Sequence, residues 1–116
     1  MAMEENKMIR KLSDKLKRLD IPHVMTNGGI LFKTVVTSRM FNGFFFTNHE
    51  YEKVWSKADV ICKPGSYGYE ENQFEIRGVD LMTPKECAID DVVGFLTLDE
   101  VVERIVTAWK NYKNRG

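Results

Sequence analysis

The sequence predicts an α+β fold: a mostly antiparallel sheet of four to five strands, with N- and C-terminal helices packed on one face. Three observations predict it. Both ends carry apolar residues at helical spacing. The segment between them is rich in β-branched and aromatic residues and is broken by Asn-Gly and Pro-Gly steps. The 116 residues suffice for one hydrophobic core, so we expect residues 1–116 to form a single α+β domain.

Residues 4–19 predict the first helix. Its apolar stripe is formed by Met8, Ile9, Leu12, Leu16 and Leu19. The opposite side is basic and includes Lys7, Arg10, Lys11, Lys15 and Arg18. We expect the helix to end before Pro22, because proline disfavours helical geometry at the preceding residue.

Extended segments follow this helix. The step Asn27-Gly28 lies between two apolar runs and predicts a hairpin in which both central residues take positive φ. Residues 40–46 predict a central strand, because three consecutive phenylalanines are poorly accommodated in water. Within it, Gly43 indicates a bulge or the close approach of a helix.

Asn48 predicts the cap of a short helix over residues 49–57, which would turn Tyr51, Val54 and Trp55 inward. Residues 60–62 then predict a short strand that ends at Pro64-Gly65. Residues 73–79 alternate between polar and apolar side chains and predict the final antiparallel strand.

Two capping boxes predict helix starts in the C-terminal part of the chain. Thr83 and Glu86 flank Pro84, which suits the first position of a short helix. Thr97 and Glu100 begin a long helix over about 97–113, after a short apolar segment. One face of this helix carries the apolar stripe Leu98, Val101, Val102, Ile105, Trp109 and Tyr112, which we expect to lie in the core.

The charges are balanced overall but unevenly distributed. The chain has 17 basic and 17 acidic residues, and residues 70–103 hold ten of the acidic ones. We favour pairing of this acidic belt with the basic ends inside the fold over an acidic docking face. A zero net charge argues against nucleic-acid binding over the whole surface. It leaves open a nucleic-acid-binding protein that uses the basic face of the N-terminal helix.

The cysteines and histidines match no ligand signature. His23, His49, Cys62 and Cys87 are far apart in sequence, and there is no Cys-x-x-Cys motif. We therefore expect no metal and no cofactor. Reduced thiols are the favoured state, and a Cys62–Cys87 disulfide is the alternative.

No catalytic motif stands out, so enzymatic activity is left open rather than predicted. A small enzyme would have to use His49, Cys62 or the Asp90-Asp91 pair. Asp99 and Glu100 already suit the first turn of the long helix, which gives these carboxylates a structural role.

The loop of residues 64–72 is the candidate binding site. It combines Tyr67 and Tyr69 with Glu70 and Glu71, and tyrosine is enriched in binding hot spots. The alternative is that one or both tyrosines fold back over the edge of the sheet. The acidic neighbours favour a protein partner over single-stranded nucleic acid.

No apolar run approaches the roughly 20 residues that span a bilayer, and the acidic, polar start is unlike a secretory signal. We expect a soluble, cytoplasmic protein without membrane contact. A homodimer would explain where the excess phenylalanine is buried.

Three segments, Gly68–Glu71, Leu81–Glu86 and Val92–Ile105, resemble small uncharacterised proteins of phages and mobile elements in Gram-positive bacteria. The resemblance covers about a third of the chain and carries no functional residue. It implies an accessory protein that acts on a host or element-encoded component. The leading hypothesis is a non-enzymatic protein-interaction module.

Overall fold

The computed structural model describes residues 7–115. Its elements, in chain order, are α1 (Lys7–Arg18), β1 (Val24–Thr26), β2 (Gly29–Asn42), β3 (Phe45–Ile61), β4 (Phe74–Arg77), α2 (Pro84–Cys87), β5 (Val92–Leu96) and α3 (Leu98–Arg115). The five strands form one sheet in the order of the chain, and each pairs antiparallel with its neighbour. This architecture confirms the predicted α+β class.

The N-terminal helix forms as the apolar stripe predicts. Ile9, Leu12 and Leu16 of α1 are buried. The helix ends at Arg18, ahead of Pro22, and Leu19 follows it half exposed. Residues 4–6 of the predicted helix lie outside the described residues.

The C-terminal helix also forms as predicted, with a complete capping box. The Thr97 N–H donates to Glu100 Oε1 at 2.9 Å, and the Glu100 N–H donates to Thr97 Oγ1 at 3.3 Å. Val101 and Ile105 of α3 are fully buried. Because α1 and α3 contact each other and bury their stripes in the same core, both helices cover one face of the sheet.

One partly exposed ion pair joins the acidic belt to the basic C-terminal segment. Arg104 of α3 donates to both carboxylate oxygens of Glu86, at 2.6 and 2.8 Å, and also to the carbonyl of Leu81 at 2.9 Å. Glu86 in turn completes the capping box of α2 with Thr83. The hydrogen bond from Arg104 is the main reason that the pKa of Glu86 falls from 4.5 to about 2.

The first hairpin is present, but its turn differs from the expectation. Thr26 pairs with Gly29 across Asn27-Gly28. Gly28 has a φ of 109°, whereas Asn27 is not among the residues with positive φ. The prediction of positive φ at both central residues was therefore wrong at Asn27.

Residues 40–46 are not a central strand. They form the distal end of a long β2–β3 hairpin, and Gly43, with a φ of 71°, occupies the first central position of its turn, where a positive φ is needed. Phe44 is 94% exposed, and Phe45 and Phe46 are exposed as well. The phenylalanines are exposed to solvent because the hairpin extends past the helices. The local hydrophobicity of the sequence does not predict this extension.

The predicted helix over 49–57 is also wrong, because these residues belong to β3. Tyr51 and Val54 are exposed, and only Trp55 of the three turns inward. The register runs without interruption from Lys33 opposite Val54 to the turn. Continuous pairing with β2, a non-local interaction, thus overrides the local helical signal.

At the other end of the sheet, residues 74–77 form β4 as predicted, but β4 is not the last strand. Residues 92–96, expected only as an apolar segment, form β5 and pair with β4. On the sheet face away from the helices, Arg77 binds the carboxylate of Asp59 with two hydrogen bonds, at 3.1 and 2.7 Å.

We name the part of the hairpin from Lys33 to Val54 the arm. Every side chain of the arm is at least partly exposed. The radius of gyration is 16.6 Å, compared with about 13 Å for a compact domain of this length. Cross-strand contacts hold the arm: Phe41 against Phe46, Arg39 over the Phe46 ring, and Lys33 with Glu52.

An aromatic cluster connects the base of the arm to the core. Trp55 lies 5.0 Å from the ring of Phe32, 5.0 Å from Trp109 and 5.8 Å from Tyr112, measured between ring centroids. The Trp55 indole N–H donates to the carbonyl of Pro22 at 2.7 Å. The arm therefore begins at a point where β2, β3 and α3 meet.

Truncation of two phenylalanines of the same hairpin, one in the core and one in the arm, should have very different effects on the free energy of unfolding. Phe32→Ala removes a ring that is 1% exposed and should lower the free energy of unfolding by roughly 3–5 kcal/mol. Phe44→Ala removes a ring in water and should change it by less than about 0.5 kcal/mol. Urea unfolding measures both. A large loss at Phe44 would contradict the exposed position of the arm tip.

Replacement of Glu86 should change the dependence of stability on pH. The folded pKa of Glu86 is about 2, below its ordinary 4.5, so its stabilisation is complete above pH 4.5 and is lost as pH falls towards 2. At neutral pH, Glu86→Gln should lower the free energy of unfolding by about 1 kcal/mol, since a partly exposed ion pair is screened by water. Between pH 5 and 2 its stability should fall less steeply than that of the wild type. Parallel curves for the two proteins would be inconsistent with this ion pair.

Candidate interaction surface

The loop of residues 64–72, which we name the tyrosine loop, follows β3. It lies at the end of the sheet near β4 and β5. Tyr67 is 56% exposed and Tyr69 is 37% exposed. Glu70 and Glu71 follow in a short 3₁₀ turn, and both carboxylates point into solvent. The structure thus brings all four residues of the predicted binding site to one exposed loop.

Phe95 of β5 joins this loop from the sheet. Its ring stacks on Tyr67 with 6.4 Å between centroids and an interplanar angle of 27°. Phe95 is itself 57% exposed, so two adjacent rings face water. We name Tyr67, Tyr69, Glu70, Glu71 and Phe95 the tyrosine surface.

The backbone of Tyr67 is held on three sides. Its N–H donates to the carboxylate of the buried Glu75 at 3.0 Å, and its carbonyl accepts the Phe95 N–H at 3.2 Å. Gly94 packs directly against the Tyr67 side chain, and a Cβ at position 94 would lie 2.2 Å from the Tyr67 Cβ. The ring of Tyr67 is therefore carried on a fixed backbone.

Phe95 has an unusual backbone conformation. Its φ is 58°, in the left-handed region that non-glycine residues seldom adopt. The pairing of β4 with β5 shifts between Phe74 opposite Leu96 and Ile76 opposite Val93, which places one extra residue in β5. A bulge of this kind favours glycine at the left-handed position, yet phenylalanine occupies it here.

Phe95 was not among the predicted site residues, because Val92–Leu96 was interpreted only as a short apolar segment before the long helix. Strict alternation would have placed Val93 and Phe95 on the face opposite Leu96, which is buried. Gly94 inside a strand is a recognised sign of a bulge. Neither signal shows that the residue after Gly94 takes the positive φ.

The basic residues of the alternative nucleic-acid site lie along the outer side of α1. Lys7, Arg10, Lys11 and Arg18 are exposed, and Lys15 is half buried. Asp14 is exposed on the same helix and adds a negative charge among them. This helix lacks an aromatic platform on its exposed side within the residues that the structure describes.

The residues considered for catalysis lie in three separate places. His49 is exposed on the arm, and Asp90 and Asp91 are exposed in the turn before β5. Cys62 is buried after β3, and burial raises the pKa of its thiol, which disfavours a nucleophilic thiolate. Between Lys7 and Arg115, no disulfide joins Cys62 to Cys87 and no group of three or more His, Cys, Asp or Glu side chains could hold a metal ion.

Ser13 and His23 form a pair that the sequence did not suggest. Ser13 Oγ lies 2.6 Å from His23 Nε2, and His23 Nδ1 lies 2.8 Å from the carbonyl of Ile21. Both contacts are satisfied when Nδ1–H donates to the carbonyl and Nε2 accepts from the hydroxyl. Because Ser13 is 1% exposed, the pair ties α1 to the segment before β1 rather than presenting a nucleophile.

An open cleft of about 360 Å³ lies between α3 and the turn at Val79–Leu81. Three of its charged groups already have partners. Asp80 accepts from the Ser56 hydroxyl at 2.6 Å, Glu100 caps α3, and Arg104 binds Glu86. The cleft is lined by Asp80, Leu81, Met82, Thr83, Glu100, Glu103, Arg104 and Thr107.

Searches of protein-family models, of curated proteins and of solved structures each found no match to this chain. Among residues 7–115, none of the helices has the length and apolar character needed to cross a membrane.

Replacement of Phe95 should show whether its backbone strain or the packing of its ring has the larger effect on stability. Asparagine tolerates the left-handed conformation, so Phe95→Asn should relieve about 1 kcal/mol of backbone strain. We expect thermal unfolding of this variant at or above the wild-type midpoint, although a large apolar side chain is lost. Phe44→Asn, at an exposed position with ordinary φ, should give no such gain. A marked loss of stability in Phe95→Asn would show that the ring has a packing role instead.

Proposed function

We propose that this chain is a non-enzymatic protein-interaction module that binds a partner protein through the tyrosine surface. The observation that carries the proposal is Phe95, an aromatic residue in a left-handed conformation with its ring exposed to water beside Tyr67. The module would act in the cytoplasm.

Backbone strain at Phe95 supports a binding role. A left-handed conformation at a non-glycine residue costs on the order of 1–2 kcal/mol. Burial of the ring does not offset this cost, because more than half of the side chain faces solvent. Strained backbone of this kind clusters at functional sites, where it places a side chain for use.

Rigidity of the surface supports the same role. The Tyr67 backbone is fixed by Glu75 and Phe95, and Gly94 allows the close contact behind it. Side chains that are already ordered lose little entropy when a partner binds. Tyrosine and phenylalanine rings also supply large contact areas with few rotatable bonds.

The charges of the surface favour a basic partner. Glu70 and Glu71 are exposed on the same loop as Tyr67. Arginine or lysine on a partner could pair with a carboxylate and also stack on a ring face. A partner with basic side chains near an apolar contact therefore fits best, and the resemblance to phage and mobile-element proteins suggests a host or element-encoded one.

Selection from a displayed library of short random peptides tests the proposal. Wild-type protein should enrich peptides that contain arginine or lysine near an apolar residue. Tyr67→Ala should weaken their binding roughly tenfold or more, as expected for a hot-spot residue. Glu70→Lys together with Glu71→Lys should weaken it further at low salt.

Phe44→Ala is the matched control, since it removes an exposed ring from the arm instead. It should bind the selected peptides as the wild type does. The absence of enrichment, or equal binding by Tyr67→Ala, would refute a binding role for the tyrosine surface. Binding to DNA or RNA that weakens steeply with salt and on reversal of Lys11 and Arg18 would favour the nucleic-acid alternative.

A further inference from the structure

The arm has an open strand edge on β2. Strand β1 pairs with β2 only as far as Leu31, whereas β2 continues to Asn42. Over the described part of the chain, residues 32–42 thus have a strand neighbour on the β3 side alone. Alternate N–H and C=O groups along this edge point away from β3 and are available for pairing.

The edge of β2 lacks the usual protection against pairing. Over residues 32–42 it carries two charges, Arg39 and Lys33, and no proline, and it is rich in β-branched residues. The Lys33 ammonium is paired with Glu52 of β3. The outer edge of β3 differs, because it carries Glu50, Glu52 and Lys53. Of the two edges of the arm, that of β2 is suited to accept another strand.

We propose that the open edge of β2 pairs antiparallel with the same edge of a second copy of this chain, around a twofold axis at Thr37. The two arms then form one four-stranded sheet. This inference goes beyond the proposed function, since it concerns the arm and not the tyrosine surface.

The length and charges of the edge select this register. Thr37 is the midpoint of residues 32–42, so a twofold axis there pairs the whole open edge in both copies. Lys33 would lie opposite Phe41 of the second copy, so this register brings no like charges together. Moving the axis to Val36 would oppose Lys33 and Arg39, and moving it to Arg39 would oppose two guanidinium groups.

Pairing along this edge would also cover apolar side chains of β2. Val35, Met40 and Phe41 are exposed on β2. In the proposed register each of them would lie beside β2 of the second copy. Antiparallel overlap would carry the tip towards β1 of the second copy, where Met25 is exposed.

Sedimentation velocity of the full chain over a range of concentrations tests the proposal. Wild-type protein should form a dimer. Thr37→Lys should weaken the dimer roughly tenfold or more, because two ammonium groups would meet at the axis. Within each arm the new lysine faces Glu50 of β3, so the hairpin itself should be retained. High salt should partly restore the dimer.

Two further variants make the test specific. Thr47→Lys places the same charge on β3, opposite Met40, and should leave the dimer intact. An equimolar mixture of Thr37→Lys and Thr37→Asp should form a heterodimer tighter than either homodimer. A monomeric wild type, or equal dimerisation of Thr37→Lys and Thr47→Lys, would overturn the proposal.

Separate measurements distinguish the dimer from lipid binding by the arm tip, and from the proposed function of the tyrosine surface. A monomer that floats with vesicles of phosphatidylcholine, and no longer does so after Phe44→Ser, would assign the tip to lipid and refute the dimer. Tyr67→Ala should remain dimeric, and Thr37→Lys should still bind the selected basic peptides. A negative result for dimerisation would therefore not affect the result for peptide binding, and the reverse also holds.

Discussion

The aromatic contact around Trp55 is the interaction on which the shape of this protein depends. Trp55 lies at the point where β3 leaves the covered part of the sheet, and it touches Phe32 on β2 and Trp109 on α3. Its indole N–H also binds the carbonyl of Pro22, which follows α1. One side chain thus links β2, α3 and the segment between α1 and β1, at the point where the core ends and the arm begins.

Much of the fold could be predicted from local chemistry. Thr97 with Glu100 and Thr83 with Glu86 marked two helix starts correctly, because a capping box depends only on residues three positions apart. The predictions failed where pairing is non-local. The segment 49–57 has helical spacing of its apolar residues, but its pairing with β2 places it in a strand, and no local pattern reports that pairing.

The candidate site was predictable in part for a related reason. Composition pointed to Tyr67 and Glu70, because tyrosine and carboxylates in a turn indicate an exposed surface. The exposed position of Phe95 follows from alternation with the buried Leu96, but its positive φ was not predictable, because it accompanies a register shift between β4 and β5. Likewise, the exposed phenylalanines of the arm contradict average burial tendencies, because the β2–β3 hairpin extends past the helices before it turns at Gly43.

The order of the strands has a consequence for how the chain folds. Each strand pairs with its neighbour in sequence, so the sheet can assemble by successive hairpins without first closing a long loop. The contact between α1 and α3, at opposite ends of the chain, is the long-range step. The β2–β3 hairpin closes between neighbours in sequence, but a two-stranded hairpin is marginally stable on its own in water. Its contact with Trp109 of α3 therefore couples the most local pairing of the sheet to the last helix of the chain.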